Sequence, residues 1–347
     1  MIIGVDAASL STINDSEKTG NFWLAHNFLR ALSAIDKKNI YRLYSFAKIP
    51  EEIIKQYSDN FENYIVGPKR FWMQARMSIE LLLNQSDVFL GFNQSLPLIA
   101  NGKNLLFVLD LAFEKFPKNY PKIYQKLSWQ TKSAIAKATR IVAISKATKN
   151  DLTDLYHVPK EKINVIYPFC ENIFQPLPNR EVKKYLAQKK ITKPYFLYLG
   201  ANKKSKNIEL IKKAYSLLST KEQKKAQLIF TYEKFGFVTR EELPYLYNGA
   251  LALVSPSVYE GFGLPHLEAI SCGIPVICTA RGSQKEVVGD AGLYVQTDKP
   301  QSLTTAMQVV LTDTKRYNFL REAALLQKIK FNSHLSAQML LMLINSL

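Results

Sequence analysis

Short apolar runs alternate along this chain with stretches in which apolar side chains recur at helical spacing. Strands buried on both faces of a parallel sheet read as continuous apolar runs, and amphipathic helices read as the second kind, so the pattern predicts parallel-sheet α/β architecture. In the first half the predicted strands are Ile2–Val5, Tyr41–Phe46, Tyr64–Val66, Val88–Leu90, Leu105–Leu109, Ile141–Ile144 and Val165–Tyr167. After the first of them a turn region ends at Thr19-Gly20, and Phe22, Ala25, Leu29 and Leu32 mark a helix. Ser145, directly after a strand, is placed to cap a helix running through Leu155.

The punctuation then changes. Pro168, Pro176, Pro178 and Pro194 fall in a stretch with little periodicity, which reads as a linker. The pattern restarts with a strand at Tyr195–Leu199, Gly200 and a helix from Asn207, followed by strands at Leu228–Phe230, Ala250–Val254, Pro275–Cys278 and Leu293–Val295. Thr239 with Glu242 reads as a capping box for the helix before Tyr247. Each half opens with strand, glycine-bearing turn and helix. The expected architecture is therefore two Rossmann-like domains facing each other across a cleft, with ligands beyond the carboxyl ends of the strands. The expected boundaries are 1–168 for the first domain, 169–194 for the linker, 195–325 for the second domain and 326–347 for a C-terminal helix. The apolar helical stripe Met339–Leu347 reads as a docking helix.

A length of 347 residues with 47% hydrophobic positions suits two cores. No apolar run approaches the ~20 residues of a bilayer span, and the N-terminal residues show no basic leader followed by an apolar stretch. The three cysteines, Cys170, Cys272 and Cys278, form no C-x-x-C pair, so a disulfide framework or zinc knuckle is not expected and a reducing cytoplasm is. The formal charge of +17 calls for an anionic partner: nucleic acid, a phosphate-bearing substrate or an acidic membrane surface. His26, His157, His266 and His334 share no metal-ligand spacing, and no D-x-D pair occurs.

Candidate chemistry concentrates in Ser255-Pro256-Ser257-Val258-Tyr259-Glu260-Gly261-Phe262-Gly263-Leu264-Pro265-His266-Leu267-Glu268-Ala269, which follows a strand and opens a helix. Gly261 and Gly263 remove side chains where a ligand approaches the backbone, and the helix start offers unpaired N–H groups to an anion. The carboxylates of Glu260 and Glu268 can accept hydrogen bonds from hydroxyls. A phosphorylated sugar satisfies both features; solvated carboxylates beside a structural turn are the plain alternative.

This string resembles the E-x(7)-E signature of family 4 retaining glycosyltransferases of the GT-B fold, matched position for position from Glu260 to Glu268. The resemblance continues through Cys272-Gly273-Ile274-Pro275-Val276-Ile277 and from Glu286 to Leu293. Upstream it takes in Gly4-Val5-Asp6-Ala7, Thr19-Gly20, the helix start Ser145 to Leu152 and the strand Ile163–Pro168. It implies a GT-B enzyme whose C-terminal helix crosses back to the first domain, using a nucleotide diphosphate sugar as co-substrate and no other cofactor.

By the same resemblance Glu268 holds the ribose hydroxyls and Glu260 the transferred sugar, while Gly261, Phe262, Gly263 and Leu264 seat sugar and diphosphate. Lys206 stands at the family's G-x(5)-K position after Gly200, with Lys203 and Lys204 beside it. A cation there neutralises charge on the leaving nucleotide. On the acceptor side the resemblance points to Gly20, Asp110 and Ser145. Three departures stand out. Ala201 and Ser205 replace the usual arginine, Leu109 replaces the histidine of an H-D-L trio and leaves Asp110, and the segment from Leu228 to Glu242 is short. Family habit implies front-face retention in which the leaving phosphate takes the acceptor proton, with no metal.

Two segments interleave aromatic and basic residues, Lys69 to Arg76 and Glu114 to Lys126, a composition suited to an anionic leaflet as well as to a solvated helix face. The expectation is a cytoplasmic hexosyltransferase, leaning to mannose, peripheral on the inner face of the membrane. It would take a GDP- or UDP-linked donor and a glycan or lipid-linked acceptor in cell-surface polysaccharide biosynthesis. A non-catalytic GT-B binding or scaffold protein is the alternative. A nucleic-acid-binding protein ranks last, because no recognisable module appears.

Overall fold

The innermost apolar runs become strands covered on both faces: Ile3, Val5, Leu90, Leu105, Leu106, Phe107 and Val108 are fully buried, as are Tyr195, Phe196, Leu197, Leu253, Val254 and Ile277. The computed structural model describes residues 1–12 and 14–347. The chain divides into two units, Met1–Phe169 with Asn332–Leu347, and Cys170–Phe331.

The first unit carries a seven-stranded parallel sheet of β1 (Ile2–Asp6), β2 (Ile40–Ser45), β3 (Phe61–Ile65), β4 (Val88–Gly91), β5 (Lys103–Val108), β6 (Arg140–Ala143) and β7 (Ile163–Val165). Its order is β3-β2-β1-β4-β5-β6-β7, so the direction of winding reverses between β1 and β4, where Val5 lies beside Leu90. In open α/β sheets the carboxyl ends at such a reversal form a crevice where ligands bind. The sequence placed all seven strands, although β3 begins three residues earlier than expected and β7 two. Both are edge strands with exposed positions, so their apolar signal is diluted. Helix Gly20–Ile35 follows β1, and the C-terminal helix Ser333–Asn345 packs against it within this unit, burying Ala337, Leu340 and Ile344. Asn39 Nδ2 donates to Asn345 Oδ1 at 3.3 Å across that junction.

In the second unit β8 (Tyr195–Tyr198), β9 (Gln227–Phe230), β10 (Ala252–Ser255), β11 (Val276–Thr279) and β12 (Gly292–Val295) form a parallel sheet in the order β12-β11-β10-β8-β9. Here winding reverses between β8 and β10. The stretch with clustered prolines belongs to this unit from Cys170 onward and holds helix Asn179–Gln188. Val182 is its buried residue, and Tyr185 and Leu186, half-buried, continue the same face, a stripe masked by the surrounding prolines. Ser145 does cap helix Lys146–Tyr156, its Oγ accepting the Thr148 N–H at 3.0 Å. The box expected at Thr239 is half made: Glu242 accepts the Thr239 N–H at 3.1 Å, but the helix, Leu243–Gly249, starts beyond it.

Candidate functional site

At the reversal of the five-stranded sheet, the turn after β8 and the loop after β10 bring Lys206 and Glu260 together, Nζ to Oε1 2.6 Å. The backbone ties the same two loops, the Val258 N–H donating to the Ser205 carbonyl at 2.9 Å. The Glu260 side chain is 16% exposed. Burial pushes its carboxyl upward, and the Lys206 ammonium more than offsets this, holding it below the usual carboxylate range. Lys203 and Lys204 are exposed on the same turn, and Gly200 turns it with φ +142°. Helix Leu264–Ser271 follows Glu260 with no side-chain cap; Pro265 has no N–H and the His266 N–H donates to the Gly263 carbonyl at 2.9 Å, which leaves the Leu264 N–H for an anion. Gly263 precedes it at φ +89°, and a Cβ there would strike the His266 ring. His266 itself is buried, and desolvation pushes its imidazole down to about 4, so it stays neutral.

The loop after β11 holds this arrangement from behind, a support that the motif did not reveal. Ser283 N–H and Oγ both donate to the Glu260 carbonyl, at 3.0 and 3.1 Å, and Oγ also lies 2.9 Å from the Phe262 carbonyl. Gln284 Nε2 reaches the Ser257 carbonyl at 3.1 Å. Gly282, at φ +61°, packs so closely that a Cβ would overlap the Glu260 carbonyl. Gly282→Ala therefore meets both backbone strain of about 1–2 kcal/mol and a clash with the loop that carries Glu260. Thermal denaturation should show a Tm several degrees lower, and a melting temperature equal to that of the parent would contradict this packing.

Glu268 sits differently from the other motif residues. Its side chain is 3% exposed, with Oε1 accepting from Arg240 Nη1 at 2.6 Å and Oε2 from the Tyr247 hydroxyl at 2.8 Å. Arg240 also donates through Nε to Glu171 at 2.7 Å and lies 4.4 Å from the Phe174 ring centroid. Burial works against the guanidinium charge, but Glu268 and Glu171 raise its basicity overall. Arg240 comes from the very segment whose shortness stood out. No local pattern marks it, because its two partners are distant in sequence.

The acceptor-side residues belong to the first unit. Asp110 Oδ1 accepts the Ala112 N–H at 3.0 Å and so shapes the turn after β5. Ser145 is fully buried and its hydroxyl serves the helix cap. Gly20 is exposed at the start of helix Gly20–Ile35, and nothing lies within 4 Å of where its Cβ would be. Thr148 Oγ1, which accepts from Ser145 Oγ at 3.0 Å, donates to the Leu109 carbonyl at 3.3 Å, so the Ser145 cap and the turn that carries Asp110 adjoin. Among the described residues no group of three His, Cys, Asp or Glu is placed to hold a metal ion, and no helix is long and apolar enough to cross a membrane.

Comparison with known proteins adds two family models: "Glycosyl transferases group 1" matches residues 232–327 and "Glycosyltransferase Family 4" matches residues 66–171. The O-antigen chain mannosyltransferase B of Escherichia coli is 30% identical over 230 residues, 59% of this chain and 60% of that protein. The chain thus matches about three fifths of that relative's length. Among solved structures, WaaG, a glycosyltransferase involved in lipopolysaccharide biosynthesis, superposes with a TM-score of 0.76 at 17% identity over 97% of this chain and 98% of its own. Anabaena Alr3699/HepE, solved with UDP-glucose, does so with a TM-score of 0.76 at 15% identity over 100% and 99%. These two are likenesses of fold.

Proposed function

The chain belongs to the family 4 glycosyltransferases of the GT-B fold and is mannosyltransferase-like, and on that footing we propose that it transfers a hexose, with retention, from a nucleotide diphosphate sugar to a glycan or lipid-linked acceptor in cell-surface glycan assembly. The observation that carries this reading is the Lys206–Glu260 pair at the reversal of the five-stranded sheet. An ammonium and a carboxylate fit to bind a sugar, next to the unbonded Leu264 N–H, suit a donor site. The mannosyltransferase relative favours mannose as the transferred sugar, and the UDP-glucose-bound fold neighbour supports a nucleotide sugar as donor.

In this mechanism Lys206 turns from Glu260 toward the diphosphate and stabilises the charge that grows as the glycosidic bond breaks. Lys203 and Lys204 add positive charge on the same turn, so transfer needs no metal. Glu260, freed of its ion pair, accepts hydrogen bonds from the sugar hydroxyls. The ribose meets Glu268, whose oxygens each accept one bond and keep a second lone pair, so it joins the Arg240–Tyr247 set without displacing it. Gly20 leaves room for the acceptor. No protein nucleophile is needed, because the leaving phosphate takes the acceptor proton.

A thermal-shift panel with UDP, GDP, dTDP and ADP tests the donor site. One diphosphate should raise Tm and do so less in Lys206→Ala; no rise with any of them sinks the reading. Transfer from the matching nucleotide sugar in the presence of EDTA then separates an active, metal-independent enzyme from a binding protein that only keeps the fold.

Peripheral binding to the inner face of an anionic membrane belongs to the same proposal. Phe71 and Leu83 are 64% and 75% exposed on the first unit, with Lys69, Arg70 and Arg76 on the same segment, and Ile79 and Leu82 are exposed as well. Apolar side chains beside cations suit an anionic leaflet, each cation contributing about 1 kcal/mol near the surface. Flotation with anionic liposomes should recover the protein at low salt and lose it at high salt. Phe71→Ser with Leu83→Ser should weaken recovery, and no flotation of the parent protein at low salt would end the idea.

A further inference from the structure

The first unit has its own point of reversal, between β1 and β4, and a chain of polar side chains is built there. β1 ends on Asp6, which is 0% exposed. Its Oδ1 accepts the Ala8 N–H at 3.2 Å and its Oδ2 accepts from Asn93 Nδ2 at 3.0 Å. Asn93 follows β4, and its Oδ1 accepts from Asn21 Nδ2 at 3.3 Å. Asn21 is exposed, next to Gly20 and its open space. The following residue, Gln94, is held at φ +55°. Its amide donates to the Asp110 carbonyl and Thr131 Oγ1, both at 3.1 Å, and accepts the Leu109 N–H at 3.1 Å. The ends of β1, β4 and β5 are thus fastened into one polar surface.

The direction of this chain is determined by its buried end. An ionised carboxylate only accepts, so the Asn93 amide must turn its NH2 inward and its oxygen outward. That oxygen takes the Asn21 NH2 and leaves the Asn21 oxygen facing solvent. Desolvation pushes the Asp6 carboxyl up to about 6 against the bonds from Asn93 and Ala8, so it is ionised at pH 7.5. Burying such a group is costly, and strand β1 does not require it. What the arrangement presents outward is an uncharged set of amide donors and acceptors in fixed orientation. A hydroxyl, which both donates and accepts, is the matching ligand group; a phosphate would call for a cation, and none takes part in these bonds.

We propose that Asn93 and Asn21 form a subsite reading the hydroxyls of the acceptor sugar, with Asp6 as the positioning residue that orients them. This rests on the reading of the chain as a glycosyltransferase and adds Asn93 and Asn21 to the acceptor-side residues Gly20, Asp110 and Ser145.

The test is saturation-transfer NMR on the full chain with methyl α-glycosides of mannose, glucose and galactose. At least one should bind, and Asn21→Ala should weaken it about tenfold, the loss of one well-placed hydrogen bond. Asn21 is exposed, so this variant keeps its fold. Asp6→Asn, which can donate where the carboxylate only accepts, should weaken the same glycoside by a similar factor while the Tm rise with nucleoside diphosphate stays at the parent value. Glycoside binding unchanged in Asn21→Ala and Asn93→Ala, or absent from the parent at high millimolar concentration, overturns the proposal. A missing diphosphate response with an intact, Asn21-dependent glycoside signal would instead count against the donor reading alone.

Discussion

Replacing Lys206 with alanine should lower kcat/KM for sugar transfer by about 10²–10³, the range found when one preorganised charge-stabilising group is removed. Lys206 and Glu260 are 2.6 Å apart with side chains 32% and 16% exposed, so the pair itself contributes modestly to folding, on the order of 1 kcal/mol. The loss should therefore appear in turnover and diphosphate affinity, with Tm shifted by only a few degrees. Glu260→Gln gives the decisive contrast. It keeps the size of the side chain and removes the charge that Lys206 neutralises at rest, which leaves the ammonium free for an anion. Nucleoside diphosphate should then raise Tm at least as much as in the parent, while transfer falls because the sugar loses its charged acceptor. Lys206→Arg should restore part of the diphosphate response and less of the turnover, since a planar fork does not replace a compact ammonium. If Lys206→Ala and Glu260→Gln moved diphosphate binding in the same direction, the division of labour between them would be wrong.

The strands and the turn that opens helix Leu264–Ser271 were legible because they are local. A parallel strand covered on both faces must be apolar throughout, and Ile3–Val5, Leu105–Val108 and Leu253–Val254 announce this in a few residues. The loop from Glu260 to Glu268 is equally local, since Gly263 is needed where the backbone takes positive φ. What escaped was set by distance in sequence. Gly282 and Ser283 support Glu260 from another strand end, and Asp6, Asn93 and Asn21 meet only because winding reverses between β1 and β4. Helix Asn179–Gln188 escaped for a different reason: its short stripe of Val182, Tyr185 and Leu186 lies among Pro176, Pro178 and Pro194, which read as a linker.

Arg240→Met is expected to be the most destabilising single change in the second unit, at about 3–5 kcal/mol, because it leaves buried carboxylates without their counter-ion. Arg240 and Glu268 are 9% and 3% exposed at the side chain and Glu171 is 11%, so water cannot take over the role of the guanidinium. Methionine keeps an unbranched stem against Phe174, which confines the change to charge and hydrogen bonds. For a unit of this size each kcal/mol corresponds to about 2–4 °C, so Tm should fall by roughly 10 °C. Adding Glu268→Gln should recover a good part of that loss, and adding Glu171→Gln should recover more, since the penalty lies in the orphaned charges and not in the missing arginine. The same series separates folding from donor binding. Glu268→Gln alone sets its NH2 against the Arg240 or Tyr247 donor in a buried site, so it lowers Tm by itself; measured where the variant is still folded, its diphosphate affinity should drop because the ribose loses an oriented acceptor, whereas Glu171→Gln, which leaves the Glu268 carboxylate in place, should keep it. Equal Tm for Arg240→Met and the parent would mean that the two carboxylates find other partners, and the network around Glu268 would not then be what holds helix Leu264–Ser271 in place.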